Sequence, residues 1–273
     1  MHSIPSALPY PQIDPIFFQI GPLAFRWYGL MYVLGLVSAF FLIRARARTK
    51  GLELSREQAS DLIVFAAFGV FLGGRLGYVL FYNLPYYLAH PEKIIAVWEG
   101  GMSFHGGFIG TCVAVWLFCR RRRLPLWPIA DLAASAVPIG LGLGRLGNFI
   151  NGELYGRPTN VPWCMVFPTG GPVCRHPSQL YEALMEGVVL FGILTMVLRR
   201  PFPPGTVFWS FIAGYGCMRF IVELFREPDR HLGFILGPFT MGQLLSIPMI
   251  LLGGLMLVRT LRTQRTGRFT AKP

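Results

Sequence analysis

Seven blocks of mostly apolar residues run through this chain, at roughly 25–43, 61–82, 104–119, 129–150, 180–198, 205–226 and 239–258. A helix needs about 20 such residues to cross the hydrocarbon core of a bilayer. Blocks of that length leave few other folds open, because only helices and closed barrels satisfy their backbone polar groups in lipid. The third block is short, and the fourth and sixth contain arginines, so their limits are soft. Of the 273 residues 53% are hydrophobic and 14% charged, where a soluble domain carries about 25% charged residues. These features exclude a soluble globular domain, a disordered chain and a disulfide-stapled mini-protein. The expected fold is an all-α integral membrane protein, a single domain of seven transmembrane helices over residues 1–273. Met1 to Ile20 has no positive region followed by an apolar core, so no cleaved signal peptide is expected.

The placement of charge orients the helices. A net charge of +12 on a soluble chain would suggest a nucleic-acid partner. Here no aromatic-interleaved basic face accompanies it, and no nucleic acid is expected. Cations instead follow the first block (Arg44, Arg46, Arg48, Lys50, Arg56), the third (Arg120 to Arg123), the fifth (Arg199, Arg200) and the seventh (Arg259, Arg262, Arg265, Arg268, Lys272). These make 16 of the 25 Lys and Arg. The opposite-side segments hold Arg26, Lys93, Arg157, Arg175, Arg226 and Arg230, while Arg75, Arg145 and Arg219 lie inside blocks. Positive loops stay in the cytoplasm. The N-terminus is therefore expected outside, on the periplasmic side, and the C-terminus in the cytoplasm.

The longest non-membrane stretch, about 151–179, then becomes an external loop, rich in Pro and Gly. It contains Cys164 and Cys174 on the oxidising side, and two readings stay open: a disulfide or two free thiols. The five cysteines have no metal-ligand spacing and form no CxxC pair, so neither a metal nor another cofactor is expected. The glycine-rich runs Gly69-Gly73-Gly74-Gly77 and Gly140-Gly142-Gly144-Gly147 suit close helix packing in lipid.

Each ionisable group inside a span is costly and asks for a reason. With the orientation above, Tyr28 opens the first span, and Arg75, Tyr78 and Tyr82 close the second. His105 opens the third. Arg145 and Asn148 close the fourth, with Glu153 just beyond. His176, Gln179, Tyr181 and Glu182 open the fifth, and Tyr215, Arg219, Glu223 and Arg226 occupy the outer half of the sixth. The unusual polar groups thus gather at the outer leaflet.

Tyr215, Arg219, Glu223 and Arg226 share one helix face, as do Arg145 and Asn148. A guanidinium fork matches phosphate oxygens. Of Arg145 and Arg219, only Arg219 has an acidic neighbour in its own helix, which points to an outside anion, with a lipid phosphate as the abundant candidate. The competing reading is an internal ion-pair network, Arg145 with Glu153 and Arg219 with Glu223. His105 precedes Gly106-Gly107, which permit close backbone approach, and an imidazole exchanges protons near neutrality. An anion transporter would need polar groups through the full depth of the membrane, and the inner halves are apolar. A head-group transferase using the same arginines is a further alternative.

Five strings carry a family resemblance: Trp27-Tyr28-Gly29-Leu30-Met31-Tyr32; Gly100-Gly101-Met102-Ser103-Phe104-His105-Gly106-Gly107; Gly144-Arg145-Leu146-Gly147-Asn148-Phe149-Ile150-Asn151-Gly152-Glu153; Arg175-His176-Pro177-Ser178-Gln179-Leu180-Tyr181-Glu182; and Tyr215 through Arg226. With them the chain, from about residue 10 to about 260, resembles the bacterial prolipoprotein diacylglyceryl transferases. The resemblance implies transfer of the sn-1,2-diacylglyceryl group from phosphatidylglycerol to the lipobox cysteine thiol of a prolipoprotein signal peptide, with a thioether formed and glycerol phosphate released. The reaction would take place at the outer face of the bacterial plasma (inner) membrane, in contact with membrane lipid.

The resemblance assigns catalytic roles to His105, Arg219 and Tyr28, and phosphatidylglycerol binding to Arg145, Asn148, Glu153, Gly156, Tyr215, Glu223 and Arg226. Whether His105 or an arginine-stabilised thiolate handles the thiol proton stays open, as does the role of Arg75, with packing ranked first. Cys164 and Cys174 are a departure, since the family pattern does not require them.

Overall fold

The computed structural model describes residues 8–228 and 233–267. Arg230, Arg268 and Lys272 of the charge count, and both chain ends, lie outside them. A short hairpin of β1 (Ile16–Ile20) and β2 (Leu23–Arg26) leads into helix α1 (Trp27–Thr49). Then follow α2 (Arg56–Tyr82), the short α3 (Leu84–Ala89), two 3-10 turns at Pro91–Ile95 and Val97–Glu99, α4 (Phe104–Arg122) and α5 (Leu126–Ile150). After the loop come α6 (Ser178–Glu182), a π-helical segment (Ala183–Val189) and α7 (Leu190–Arg199), which form one continuous helix, Ser178–Arg199. Helix α8 (Thr206–Val222), a small hairpin of β3 (Phe234–Leu236) and β4 (Phe239–Thr240), and α9 (Met241–Gly267) complete the described chain.

A helix stands on each of the seven apolar blocks. Five of them (Trp27–Thr49, Arg56–Tyr82, Leu126–Ile150, Ser178–Arg199 and Met241–Thr263) are long and apolar enough to cross a membrane. The other two fall short for visible reasons: α8 has 17 residues, and the 19 residues of α4 end in Arg120, Arg121 and Arg122. The protein is mostly helical and multi-pass. The β1–β2 hairpin was not expected, because its strands IFFQI and LAFR show no alternation of apolar and polar residues.

The described chain divides into two compact units, one of residues 40–130 and the other of the remaining residues on either side of them. In the 40–130 unit, α2 starts with a capping box in which Ser55 and Gln58 satisfy each other's backbone N–H groups. It packs on α4 through glycines. A Cβ on Gly73 would lie 2.3 Å from the Gly106 carbonyl oxygen, and one on Gly106 would lie 2.3 Å from that of Gly73. Small residues permit such backbone contact where lipid supplies no hydrophobic drive, as the glycine spacing predicts.

In the other unit, Asp131 of α5 caps a neighbouring helix. Its carboxylate accepts from the backbone N–H groups of Gly205 (2.7 Å) and Phe208 (2.8 Å) at the start of α8. Gly205 has no side chain to cap that end, and an anion there also meets the positive pole of the helix. Asp131 is 7% exposed, so Asp131→Ala strands two donors, the Gly205 N–H buried and the Phe208 N–H partly so. We expect a loss of about 2–3 kcal/mol, with activity kept below the new melting temperature, checked by thermal unfolding in detergent micelles.

Candidate functional site

The site is built where the C-terminal ends of α5 and α8 meet α6 and the π-helical segment after it, in the unit that contains residues 131–228. Arg145 of α5 pairs through Nε with Glu182 at 3.1 Å and stands 3.7 Å from Glu186. Arg219 of α8 pairs with the other Glu182 oxygen at 2.6 Å, with Glu223 at 2.7 Å, and stands 3.7 Å from Glu186. Arg226, just past α8, reaches Glu182 at 3.6 Å. Glu182 and Glu186 are fully buried. The three guanidinium side chains keep a small exposure, 17% for Arg145, 13% for Arg219 and 10% for Arg226. A fully buried charge persists only when paired, and the arginines supply that pairing.

This corrects the sequence reading in two respects. Arg145 does have acidic partners, so an outside anion is not needed to balance it, and those partners are Glu182 and Glu186 rather than Glu153. The Arg219–Glu223 pair is as expected. The sequence places Glu182 among the polar residues that open the fifth block without pointing to its partners, and Glu186 lies unmarked one turn further on. Their signal was two carboxylates four residues apart inside an apolar block, which places them on one helix face. The π-helical turn that carries Glu186 is a further mark, since such turns gather at functional sites.

Around this cluster stand the other expected residues. Tyr215 is buried one turn before Arg219 and stacks on Phe211. Glu223 accepts a hydrogen bond from Thr240 Oγ1 at 3.0 Å. At the end of α5, buried Asn148 donates to Glu153 Oε1 at 2.9 Å, and Asn151 donates to the same oxygen at 3.1 Å. Gln179 fixes the Glu153 backbone through a 2.6 Å bond to its carbonyl. The Tyr28 ring lies against Gly147, and its hydroxyl is 3.2 Å from that of Tyr32.

The loop beyond α5 folds back over this end. Gly156 N–H donates to the His176 carbonyl at 2.8 Å, and residue 156 also bridges to Arg226. A Cβ at Gly156 would lie 2.5 Å from the Phe225 carbonyl oxygen and 2.6 Å from His176 Cβ. Only glycine fits there without a shift of the surrounding backbone. Buried Arg175 donates to the carbonyls of Gly170 and Gly156 and pairs with Glu227 at 3.1 Å. Partial burial holds the His176 imidazole below its ordinary pKa, while its Nδ1 meets the Tyr181 hydroxyl at 3.1 Å. Cys164 and Cys174 are joined by a disulfide, which settles the two readings left open for them.

His105 belongs to the 40–130 unit. It is the second residue of α4, whose start is capped by Ser103 Oγ accepting from Gly106 N–H at 3.2 Å. Arg75 of α2 is also in that unit, 5% exposed, and its guanidinium serves backbone carbonyls between Lys93 and Gly101. These contacts fit the packing role ranked first for it.

Comparison with known proteins adds the chemistry. Residues 15–259 match the family described as prolipoprotein diacylglyceryl transferase. The chain is 61% identical over 244 residues to a phosphatidylglycerol–prolipoprotein diacylglyceryl transferase of Geobacter sulfurreducens, covering 89% of this chain and 94% of that one. It is 55% identical over 251 residues to the enzyme of that name from Vibrio vulnificus, covering 92% of each chain. With the one from Photobacterium profundum it shares 51% over 257 residues, covering 94% of this chain and 97% of the relative.

Proposed function

Because this chain belongs to the prolipoprotein diacylglyceryl transferase family, we propose that its arginine–glutamate cluster holds the phosphatidylglycerol head group while the lipid's diacylglyceryl group passes to a prolipoprotein. The chain is a transferase of lipoprotein biosynthesis that moves a diacylglyceryl group from phosphatidylglycerol to prolipoprotein. The acceptor atom is the thiol sulfur of the lipobox cysteine. His105 takes the thiol proton, and the thiolate attacks the glyceryl carbon bonded to the phosphate oxygen. The S–C bond forms as the C–O bond breaks, and glycerol phosphate leaves with the electron pair. A thiol with a pKa of about 8.5 needs such a base near neutrality.

Arg145 and Arg219 hold the phosphate and stabilise the charge that grows on it. The observation that carries this reading is their convergence, from separate helices, on the two oxygens of one fully buried carboxylate, Glu182. Glu182 holds both guanidinium groups in a fixed orientation, and each group has five N–H donors, more than the carboxylates take up. Tyr215, Glu223 and Arg226 complete that wall. Tyr28, Asn148 and Glu153 meet the hydroxyl groups of the head, and Gly156 shapes the loop above.

The chain acts as one seven-span domain of the bacterial plasma membrane, N-terminus outside and C-terminus cytoplasmic, with the site toward the outer face. The Cys164–Cys174 bond supports that orientation, since disulfides persist in oxidising compartments. The loop that carries it continues from the end of α5 where Arg145 and Asn148 sit.

The test is a transfer assay with purified protein, phosphatidylglycerol and a lipobox peptide. The peptide cysteine should gain the mass of one diacylglyceryl group as glycerol phosphate appears. In the same assay His105→Gln should lower kcat by about 10²–10⁴-fold, the usual contribution of a general base, with lipid binding unchanged. Full activity in that variant would remove the base assignment.

A further inference from the structure

The cluster contains three arginines, Arg145, Arg219 and Arg226, facing three glutamates, Glu182, Glu186 and Glu223. Its charge is balanced before any lipid arrives. A phosphodiester carries one further negative charge, and adding an uncompensated charge to a site this buried is costly. One carboxylate must therefore give up its charge, or the anion binds weakly.

The geometry distinguishes the three. Glu182 touches all three arginines, the shortest contact being 2.6 Å. Glu223 holds Arg219 at 2.7 Å and accepts from Thr240. Glu186 is fully buried, and neither of its oxygens takes a hydrogen bond from a described residue. Its nearest cations, Arg145 and Arg219, both stand at 3.7 Å. The other charged or titratable groups around it are Glu182 on its own helix, and Tyr215 and Arg226 from α8 and just beyond it. Neutralising Glu186 sacrifices the least pairing, and it frees both arginines toward a new anion.

We propose that Glu186 takes up a proton from solvent when the phosphodiester of phosphatidylglycerol binds to Arg145 and Arg219, so that it acts as a positioning residue that sets the charge of the lipid site. The inference rests on the reading that those arginines hold the phosphate. It predicts that lipid affinity weakens as pH rises, by about tenfold per unit once the free cluster no longer holds the proton. In Glu186→Gln, whose amide is permanently neutral, affinity should be independent of pH and, in alkaline buffer, tighter than that of the wild type.

The experiment is calorimetric titration of the wild-type protein with phosphatidylglycerol at one slightly alkaline pH, in two buffers of different ionisation enthalpy. The heat difference counts protons, and an uptake approaching one per lipid is expected, falling to none in Glu186→Gln. No uptake by the wild type overturns the proposal without any variant being needed. Uptake that persists in Glu186→Gln overturns it as well, because the proton then goes elsewhere. Arg145→Gln separates the two levels. If it binds the lipid as the wild type does, the phosphate reading fails and takes this inference with it. If it binds weakly while the wild type takes up no proton, only the role of Glu186 fails.

Discussion

Replacing Arg219 by glutamine is expected to lower transfer by about 10²–10³-fold, the range seen when a single preorganised donor to a developing oxyanion is removed. The same substitution is expected to destabilise the protein by about 3–5 kcal/mol, because it breaks one side of a buried ion pair and leaves its partners unmatched. Arg219 contacts Glu182, Glu186 and Glu223, so three carboxylates would face only Arg145 and Arg226. The two losses have separate origins and can be pulled apart. Adding Glu182→Gln to Arg219→Gln removes the excess charge and should return part of the melting temperature while transfer stays low. Recovery of both together would mean that Arg219 acts on the reaction only by holding the fold. The readouts are thermal unfolding in micelles and the initial rate with a lipobox peptide, compared as a double-mutant cycle.

Arg75→Lys is expected to cost about 3 kcal/mol, since a hydrogen bond from a charged donor contributes about 1.5–3 kcal/mol and these acceptors, the Ala96 carbonyl apart, are only partly buried. Arg75 donates from Nε to the Ile94 carbonyl at 2.8 Å, from Nη1 to Gly100 at 2.5 Å and Gly101 at 3.1 Å, and from Nη2 to Lys93 at 2.6 Å and Ala96 at 3.1 Å. Its guanidinium also lies over the Tyr87 ring, 5.2 Å from the centroid. Five donors in a rigid plane meet five carbonyls of one segment. A lysine keeps the charge but offers three donors from a single point, so at least two carbonyls go unserved. The segment between Lys93 and Gly101 should then become sensitive to protease while the helices stay intact, and a cleavage pattern identical to the wild type would contradict this account.

The seven helical blocks were legible because long apolar runs of about 20 residues leave a chain few options other than helices. Arg145, Asn148, Tyr215, Arg219 and Glu223 were legible for a related reason: an ionisable or amide group in an apolar block stands out. The pairing among them was not. Arg145 meets Glu182 because α5 and the Ser178–Arg199 helix lie side by side, with a Cβ on Gly187 only 2.9 Å from the Gly142 Cα, and spacing within one helix says nothing of that. Glu186 went unread although its signal was present, since Leu184 to Leu198 reads as uniform apolar sequence around it. The partners of Arg75 had no signature to read, being backbone carbonyls, which every residue carries. Asp131 is similar, because its two partners are main-chain N–H groups some 70 residues away.

The seam between α2 and α4 has a consequence for turnover. Gly106 is pressed against the Gly73 carbonyl, and on the other side of His105 the Ser103 N–H donates to the Gly74 carbonyl at 2.8 Å. Both flanks of His105 are thus bolted to α2, and the imidazole can only swivel about its own side-chain bonds. With His105 as the proposed base, the ring is an anvil: each new thiol has to be carried to it, because the backbone on both sides of the ring is held against α2.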